Sequence, residues 1–162
     1  MSLSIIIIVL AIAMIVGPIM LMQPTQQQRR DAARRQKAAE LGLRVHLQPP
    51  PKGADLPPEV KQVAMYCLPW ANTQQRRSNW CLVRRGYSHG LHFAGHWDWD
   101  EAPVPARDFS MLNEARLSQL NTDVVAVAGG MQGLCCYWLE RGDLSRVEAM
   151  TSWLKALAAD MA

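Results

Sequence analysis

The feature that most constrains this chain is an apolar run near its N-terminus. From Leu3 to Met22 the only polar side chain is that of Ser4, and no side chain carries a charge. At 1.5 Å of rise per residue, a helix of this length reaches about 30 Å, the thickness of a bilayer's hydrocarbon core. The sequence therefore predicts a transmembrane anchor over residues 1–23.

A cleaved signal peptide is the alternative interpretation of the same run. It requires a charged segment before the apolar core, a shorter core and a small-x-small cleavage site. The side chains before Leu3 carry no charge, and the run continues into Gln23-Pro24-Thr25-Gln26, which lacks the cleavage pattern. An uncleaved anchor is therefore the expectation.

A cluster of basic residues after the apolar run sets its expected orientation. The cluster lies close to the end of the run, where the positive-inside bias acts, and consists of Arg29, Arg30, Arg34, Arg35 and Lys37. It predicts a single-pass bacterial inner-membrane protein with its N-terminus outside and its C-terminal domain cytoplasmic. These side chains are the candidate membrane-surface residues, because each basic group near anionic lipid contributes about 1 kcal/mol. A role in setting topology alone is the alternative.

The charge balance does not favour a nucleic-acid partner. The formal net charge of +3 is concentrated in the basic segment that follows the apolar run, and the rest of the chain is close to neutral. We therefore expect the lipid bilayer as one partner, together with a membrane protein complex or further copies of the chain.

The segment 24–42 has the pattern of a polar helix. Thr25 and Gln28 form a capping box, alanine and arginine favour helix, and Gly42 suits the position just after a helix. Without a strong apolar stripe, this basic juxtamembrane helix is expected to be a solvated stalk. The proline-rich segment 48–58 is expected to run as an extended surface loop.

The segment 43–162 is expected to form a cytoplasmic α+β domain. β-branched and aromatic runs predict five strands, at 43–47, 63–68, 80–85, 124–128 and 134–139. The last two form a hairpin through the glycines of 129–133. Apolar periodicity predicts helices over 109–120 and from Ser145 to the C-terminus, with Trp153 in the core. The expected architecture is a small mixed or antiparallel sheet backed by two helices.

The four cysteines are interpreted as buried thiols. Cys67, Cys81, Cys135 and Cys136 lie in apolar, strand-like surroundings and not in paired metal-ligand spacing. Adjacent Cys135 and Cys136 point to opposite faces of a strand, which argues against a disulfide between them.

The segment 88–101 is rich in side chains that can bind a metal or transfer a proton. Its candidate metal ligands are His89, His92, His96 and Asp98, because imidazole nitrogens and carboxylate oxygens suit zinc. The glycines and alternating tryptophans around them predict loop and strand, where His89 and His92 point to opposite faces. Polar loop residues beside an aromatic strand are the preferred interpretation, and a metal or acid/base site is the alternative.

The start of the chain carries a family resemblance. The apolar run continues into Met22-Gln23-Pro24-Thr25-Gln26-Gln27-Gln28-Arg29-Arg30. This junction resembles that of the YajC-type accessory subunit of the bacterial protein-export translocase, a family with one span, a basic polar helix and a small cytoplasmic β-domain. The resemblance covers the first quarter of the chain and implies a similar topology. The proline loop, the His/Trp segment and the C-terminal helix have no counterpart in that family.

Two functions follow from these patterns. The sequence contains no Ser-His-Asp constellation, paired catalytic carboxylates or Walker motif. The preferred hypothesis is a non-enzymatic accessory or scaffold protein without a cofactor, which presents a small interaction domain next to a membrane complex. The alternative is a membrane-tethered enzyme or metal-binding domain that uses the His89, His92, His96 and Asp98 cluster.

Overall fold

A computed structural model describes residues 3–21, 24–71, 79–88, 93–100 and 109–161 of the chain. The chain divides into two units, Met1–Ala32 and Ala33–Ala162. The first unit holds helix α1, Leu3–Leu21, and the beginning of helix α2, Gln26–Glu40. The second unit holds the remainder of α2 and the folded domain.

The predicted transmembrane helix is not supported by the structure. Within the described ranges, no helix is both long enough and apolar enough to cross a membrane. Helix α1 runs from Leu3 to Leu21. An uninterrupted apolar run in the sequence is a necessary condition for a membrane span but not a sufficient one. The predictions of a transmembrane anchor, of a single-pass inner-membrane protein and of the orientation derived from it are therefore wrong.

Helix α2 begins and ends as its sequence indicates. The Gln28 side chain accepts from the Thr25 backbone N–H at 2.9 Å, and the Thr25 hydroxyl accepts from the Gln28 N–H at 3.2 Å. Gly42 follows the helix with a φ of +89°, a conformation that glycine adopts without steric cost. The capping box and the end at Gly42 are thus confirmed. The solvated stalk is wrong for the second half of α2, where Arg34 and Ala38 are buried.

The domain contains one antiparallel six-stranded sheet. Its strands lie in the order β1-β2-β6-β5-β3-β4, and every neighbouring pair is antiparallel. The strands are β1 Arg44–Gln48, β2 Val63–Leu68, β3 Trp80–Arg84, β4 Trp97–Trp99, β5 Val124–Gly130 and β6 Gly133–Trp138. Two further helices are described, α3 Glu114–Leu117 and α4 Leu144–Asp160. The result is a small α+β domain.

The predicted helix over 109–120 is mostly irregular. Only Glu114–Leu117 is helical, and the Asn113 side chain caps it by accepting from the Arg116 N–H at 2.9 Å. The apolar spacing was nevertheless informative, because Phe109, Leu112, Leu117 and Leu120 are all buried. Consecutive turns bury the same residues that a longer helix would bury.

Helix α4 covers one face of the sheet. Tyr66, Leu134 and Trp138 point toward this face and belong to the same core cluster as Leu154 and Leu157 of the helix. Trp153 is 7% exposed, and its Nε1 donates to the Arg116 carbonyl at 2.9 Å, so its predicted burial is confirmed. The helix begins one residue earlier than predicted, at Leu144, with Asp143 in the N-cap position, and the Ser145 hydroxyl donates to the Asp143 carboxylate at 2.6 Å.

The other face of the sheet carries a disulfide between β2 and β6. Cys67 and Cys135 stand directly opposite each other in the antiparallel register, with a Cα–Cα distance of 4.1 Å. The interpretation as buried thiols is therefore wrong for these two residues. Cys136 is a buried free thiol on the face that α4 covers, so the expectation that Cys135 and Cys136 point to opposite faces is confirmed.

The hairpin between β5 and β6 is tighter than predicted. The strands continue through Gly130 and resume at Gly133, so only Met131 and Gln132 form the turn. Gly133 has a φ of +131°, and a Cβ there would collide with the Leu68 carbonyl oxygen. Glycine is therefore required at this position.

Removing the disulfide is expected to destabilise the domain. The bridge joins residues 68 positions apart, and a cross-link over a loop of this size typically contributes about 2–4 kcal/mol. The double variant Cys67→Ser/Cys135→Ser should lose this much free energy of unfolding in urea titrations. A reductant should lower the unfolding midpoint of the parent but not that of the variant. Cys81→Ser is the control and should respond to reductant as the parent does. A parent whose unfolding midpoint ignores the reductant contradicts the assignment.

Candidate functional site

The predicted metal cluster is only partly within the described residues. His89 and His92 lie outside them. His96 is exposed in the turn before β4. Asp98 in β4 accepts a hydrogen bond from the Trp99 N–H at 2.9 Å, and its carboxylate lies 3.7 Å from Arg85 Nη2. Across the described ranges, no three His, Cys, Asp or Glu side chains are grouped to hold a metal ion. The metal hypothesis stays a prediction for the complete set.

The five predicted membrane-surface residues divide into two groups. Arg29 and Arg30 are exposed in the first half of α2. Arg34, Arg35 and Lys37 contact the segment that joins β6 to α4 or the first turns of α4. These contacts place three of the five basic side chains within the folded domain.

Glu140 is the centre of these contacts. Arg35 binds its carboxylate with both arms of the guanidinium, Nε to Oε1 at 2.8 Å and Nη2 to Oε2 at 2.6 Å. The Tyr66 hydroxyl of β2 donates to the same Oε1 at 2.7 Å. Glu140 is 8% exposed. We call Arg35, Glu140 and Tyr66 the Glu140 network; its bidentate, charge-assisted bonds are of the strong kind.

Two further contacts flank the Glu140 network. Arg34 donates from Nε to the Gly142 carbonyl at 3.1 Å and also from Nη2, and Lys37 Nζ lies 3.0 Å from Glu148 Oε1. Glu140 itself has a φ of +54°, a backbone conformation that costs a residue with a Cβ about 1–3 kcal/mol. The bonds of its side chain offset this strain. Together they fix the second half of α2 to the domain.

The protonation states and hydrogen bonds of the Glu140 network suit a structural role. Burial raises the pKa of the Tyr66 hydroxyl, and the neighbouring Glu140 raises it further. Tyr66 therefore stays protonated and remains a donor to the carboxylate. Both carboxylate oxygens are engaged by Arg35, so the group is positioned to hold α2 in place.

A cavity among the described residues lies at the end of the sheet where β3 ends and β5 begins. It has a volume of about 390 Å³. Its walls carry Arg84, Arg85, Arg141, Asp55 and Asp123, and Leu56, Val125 and Leu139 supply apolar surface. We call it the arginine groove. Its size is in the range of ligand-binding clefts.

The three arginines of the groove are held in different ways. Arg84 lies over the Trp97 ring at 4.7 Å and donates to the Leu120 carbonyl at 3.1 Å, and Arg85 donates to the Gly53 carbonyl. Arg141 is 72% exposed and stands at the rim, 3.8 Å from Asp123. Arg84 and Arg85 are thereby fixed, while Arg141 can move.

The electrostatics of the groove favour an anion. Three guanidinium groups and two carboxylates line the groove, and Arg85 is also paired with Asp98 at 3.7 Å. Burial lowers the pKa of Arg84, an effect that Asp123 counters. Among the described residues, the buried Nε atoms of Arg84 and Arg85 have no hydrogen-bond partner. Guanidinium groups recognise carboxylates and phosphates through paired N–H donors. The arrangement can therefore bind an anionic group.

Sequence reasoning identified neither the Glu140 network nor the arginine groove. Each combines segments that are distant in the chain, such as Arg35 with Glu140, or Arg84 with Arg141. The sequence contained two weak signals. Ala38 and Leu43, which are buried, are apolar residues in and just after a helix that was interpreted as polar. Arg84 and Arg85 are adjacent at the end of a predicted strand.

Comparisons with known proteins give no match to a family model, to a curated protein or to a solved structure. The resemblance of the N-terminal junction to the YajC-type family therefore stays a prediction.

Removing Arg35 is expected to destabilise the domain far more than removing a basic neighbour. Arg35→Ala leaves the Glu140 carboxylate largely buried without its cation, and breaking a buried pair costs about 3–5 kcal/mol. Because Arg35 itself is 36% exposed, we expect a loss at the lower end of this range or slightly below it. Arg30→Ala, at an exposed site of the same helix, should change the free energy of unfolding by less than about 0.5 kcal/mol. Equal effects of the two variants in urea titrations would show that the network is not stabilising.

Proposed function

We propose that the domain is a non-enzymatic interaction domain of an accessory or scaffold protein, and that its arginine groove binds an acidic segment of a partner protein. The observation that supports this is the convergence of Arg84, Arg85 and Arg141 on one cavity that apolar side chains also line.

The form of the groove favours a peptide segment over a compact anion. Apolar side chains also line the groove: Leu56 of the proline-rich loop, Val125 of β5 and Leu139, which follows β6. Such a mixture suits a segment that alternates acidic and apolar side chains. Arg141 at the rim and the two fixed arginines deeper in the groove also match the polar rim and more buried centre of protein interfaces.

Binding is tested with two labelled peptides and fluorescence anisotropy. One hexapeptide alternates glutamate with leucine, and the other alternates lysine with leucine and controls for apolar attraction. The full chain should bind the glutamate peptide more tightly than the lysine peptide. Added salt should weaken this binding because it screens exposed charges. Arg141→Ala should weaken it by about three- to tenfold, as expected for a charge at an interface rim.

The matched control is Arg146→Ala, which removes an exposed arginine from α4. It should leave the affinity unchanged. Equal binding of the two peptides, or an Arg141→Ala variant that binds the glutamate peptide as the parent does, would overturn the proposal.

A further inference from the structure

Strand β1 is the outer strand at one edge of the sheet, and β2 is its only neighbour in the sheet order. In the part of the chain that the structure describes, no other segment hydrogen-bonds to its free side. Alternate residues of an outer strand direct their backbone N–H and C=O groups away from the sheet. β1 therefore offers a ladder for another strand.

Several of the usual protections of an edge strand are missing from β1. Natural edges are blocked by charged residues, above all lysine, and by proline, bulges or short length. The five residues Arg44–Gln48 contain no proline or lysine, their register with β2 is continuous, and the charged Arg44 stands at the first position and not at the centre. The opposite edge strand, β4, is protected by its length of three residues and by the charged Asp98 at its centre.

The side chains of β1 are apolar on one face and polar on the other. Val45 packs against the core, and Leu47, two residues later on the same face, is 50% exposed. Arg44, His46 and Gln48 occupy the other face. A strand added at this edge would cover part of the exposed Leu47 side chain.

We propose that β1 pairs with β1 of a second copy of this chain, antiparallel and around a two-fold axis at His46. In this register Val45 stands opposite Leu47 of the partner subunit. Arg44 stands opposite Gln48 of the partner subunit, so that no two arginines face each other. Cross-strand apolar pairs stabilise antiparallel strands, and this register avoids the destabilising like-charge pair that two arginines would form.

The other two-fold registers are less favourable. A two-fold axis perpendicular to the sheet keeps the helix-covered faces on one side, so the axis must pass through a residue. An axis at Val45 places Arg44 opposite His46 of the partner subunit. An axis at Leu47 places Val45 opposite Pro49 of the partner subunit, which has no N–H to donate. Only the axis at His46 uses all five residues of β1.

Cysteine cross-linking of the full chain tests both the pairing and its register. His46→Cys places two thiols opposite each other at a Cα–Cα distance that a disulfide can bridge. Arg44→Cys alone places its two thiols about 13 Å apart along the strands. Oxidation should therefore give at least about tenfold more dimer with His46→Cys than with Arg44→Cys. A mixture of Arg44→Cys and Gln48→Cys chains should again form dimer.

A second substitution separates this interface from other contacts. Leu47→Lys, added to His46→Cys, places a charge against Val45 of the partner subunit and should lower dimer formation by at least about threefold. Leu144→Lys, at a leucine with 44% exposure on α4, should leave it unchanged. The parent chain gives the background from Cys81 and Cys136.

Either of two results would overturn the proposal. One is a dimer yield from His46→Cys no higher than the parent background. The other is equal yield from all single variants, which would show association without this register. Both results leave the arginine groove untouched, because the peptide assay with Arg141→Ala measures it separately.

Discussion

The rest of the structure depends on how the Glu140 carboxylate is buried. A carboxylate taken out of water costs several kcal/mol unless a cation and hydrogen-bond donors meet it. Arg35 and Tyr66 supply these partners from α2 and β2, and they bring together a helix, a strand and the connection that leads into α4. Glu140 has a φ of +54°, which is uncommon for a residue with a Cβ, and its side-chain bonds hold it in this conformation.

The two faces of the sheet are stabilised by different means. On one face, α4 and the end of α2 cover a core of large side chains that includes Tyr66, Trp138 and Leu154. On the other face, the disulfide between Cys67 and Cys135 joins two central strands. The helix-covered face thus relies on apolar burial and on the Glu140 network. The arginine groove lies at one end of the sheet.

Local sequence patterns predicted the elements of the domain, but they did not predict contacts between segments that are distant in the chain. The predicted range of β2 matches the structure, and β1, β3, β5 and β6 differ only at their ends, because alternation is a property of a few adjacent residues. The helix over 109–120 failed because the Asn113 cap is a local competitor that periodicity ignores. The partners of Arg35 and Cys67 are far away in the chain, so no local pattern contained them. The transmembrane helix was wrong because the prediction rested on one apolar run alone, and no helix among the described residues is long and apolar enough to cross a membrane.

Amide hydrogen exchange of the full chain tests the central claim most directly. If the Glu140 network fixes the second half of α2, the amides of residues 33–40 should be protected about as well as those of β2 in the parent. They should lose most of that protection in Glu140→Gln, which keeps the shape of the side chain but removes the charge that Arg35 requires. The first half of α2, residues 26–32, should exchange equally in both proteins. Rapid exchange of residues 33–40 in the parent, or unchanged protection in Glu140→Gln, would contradict the account.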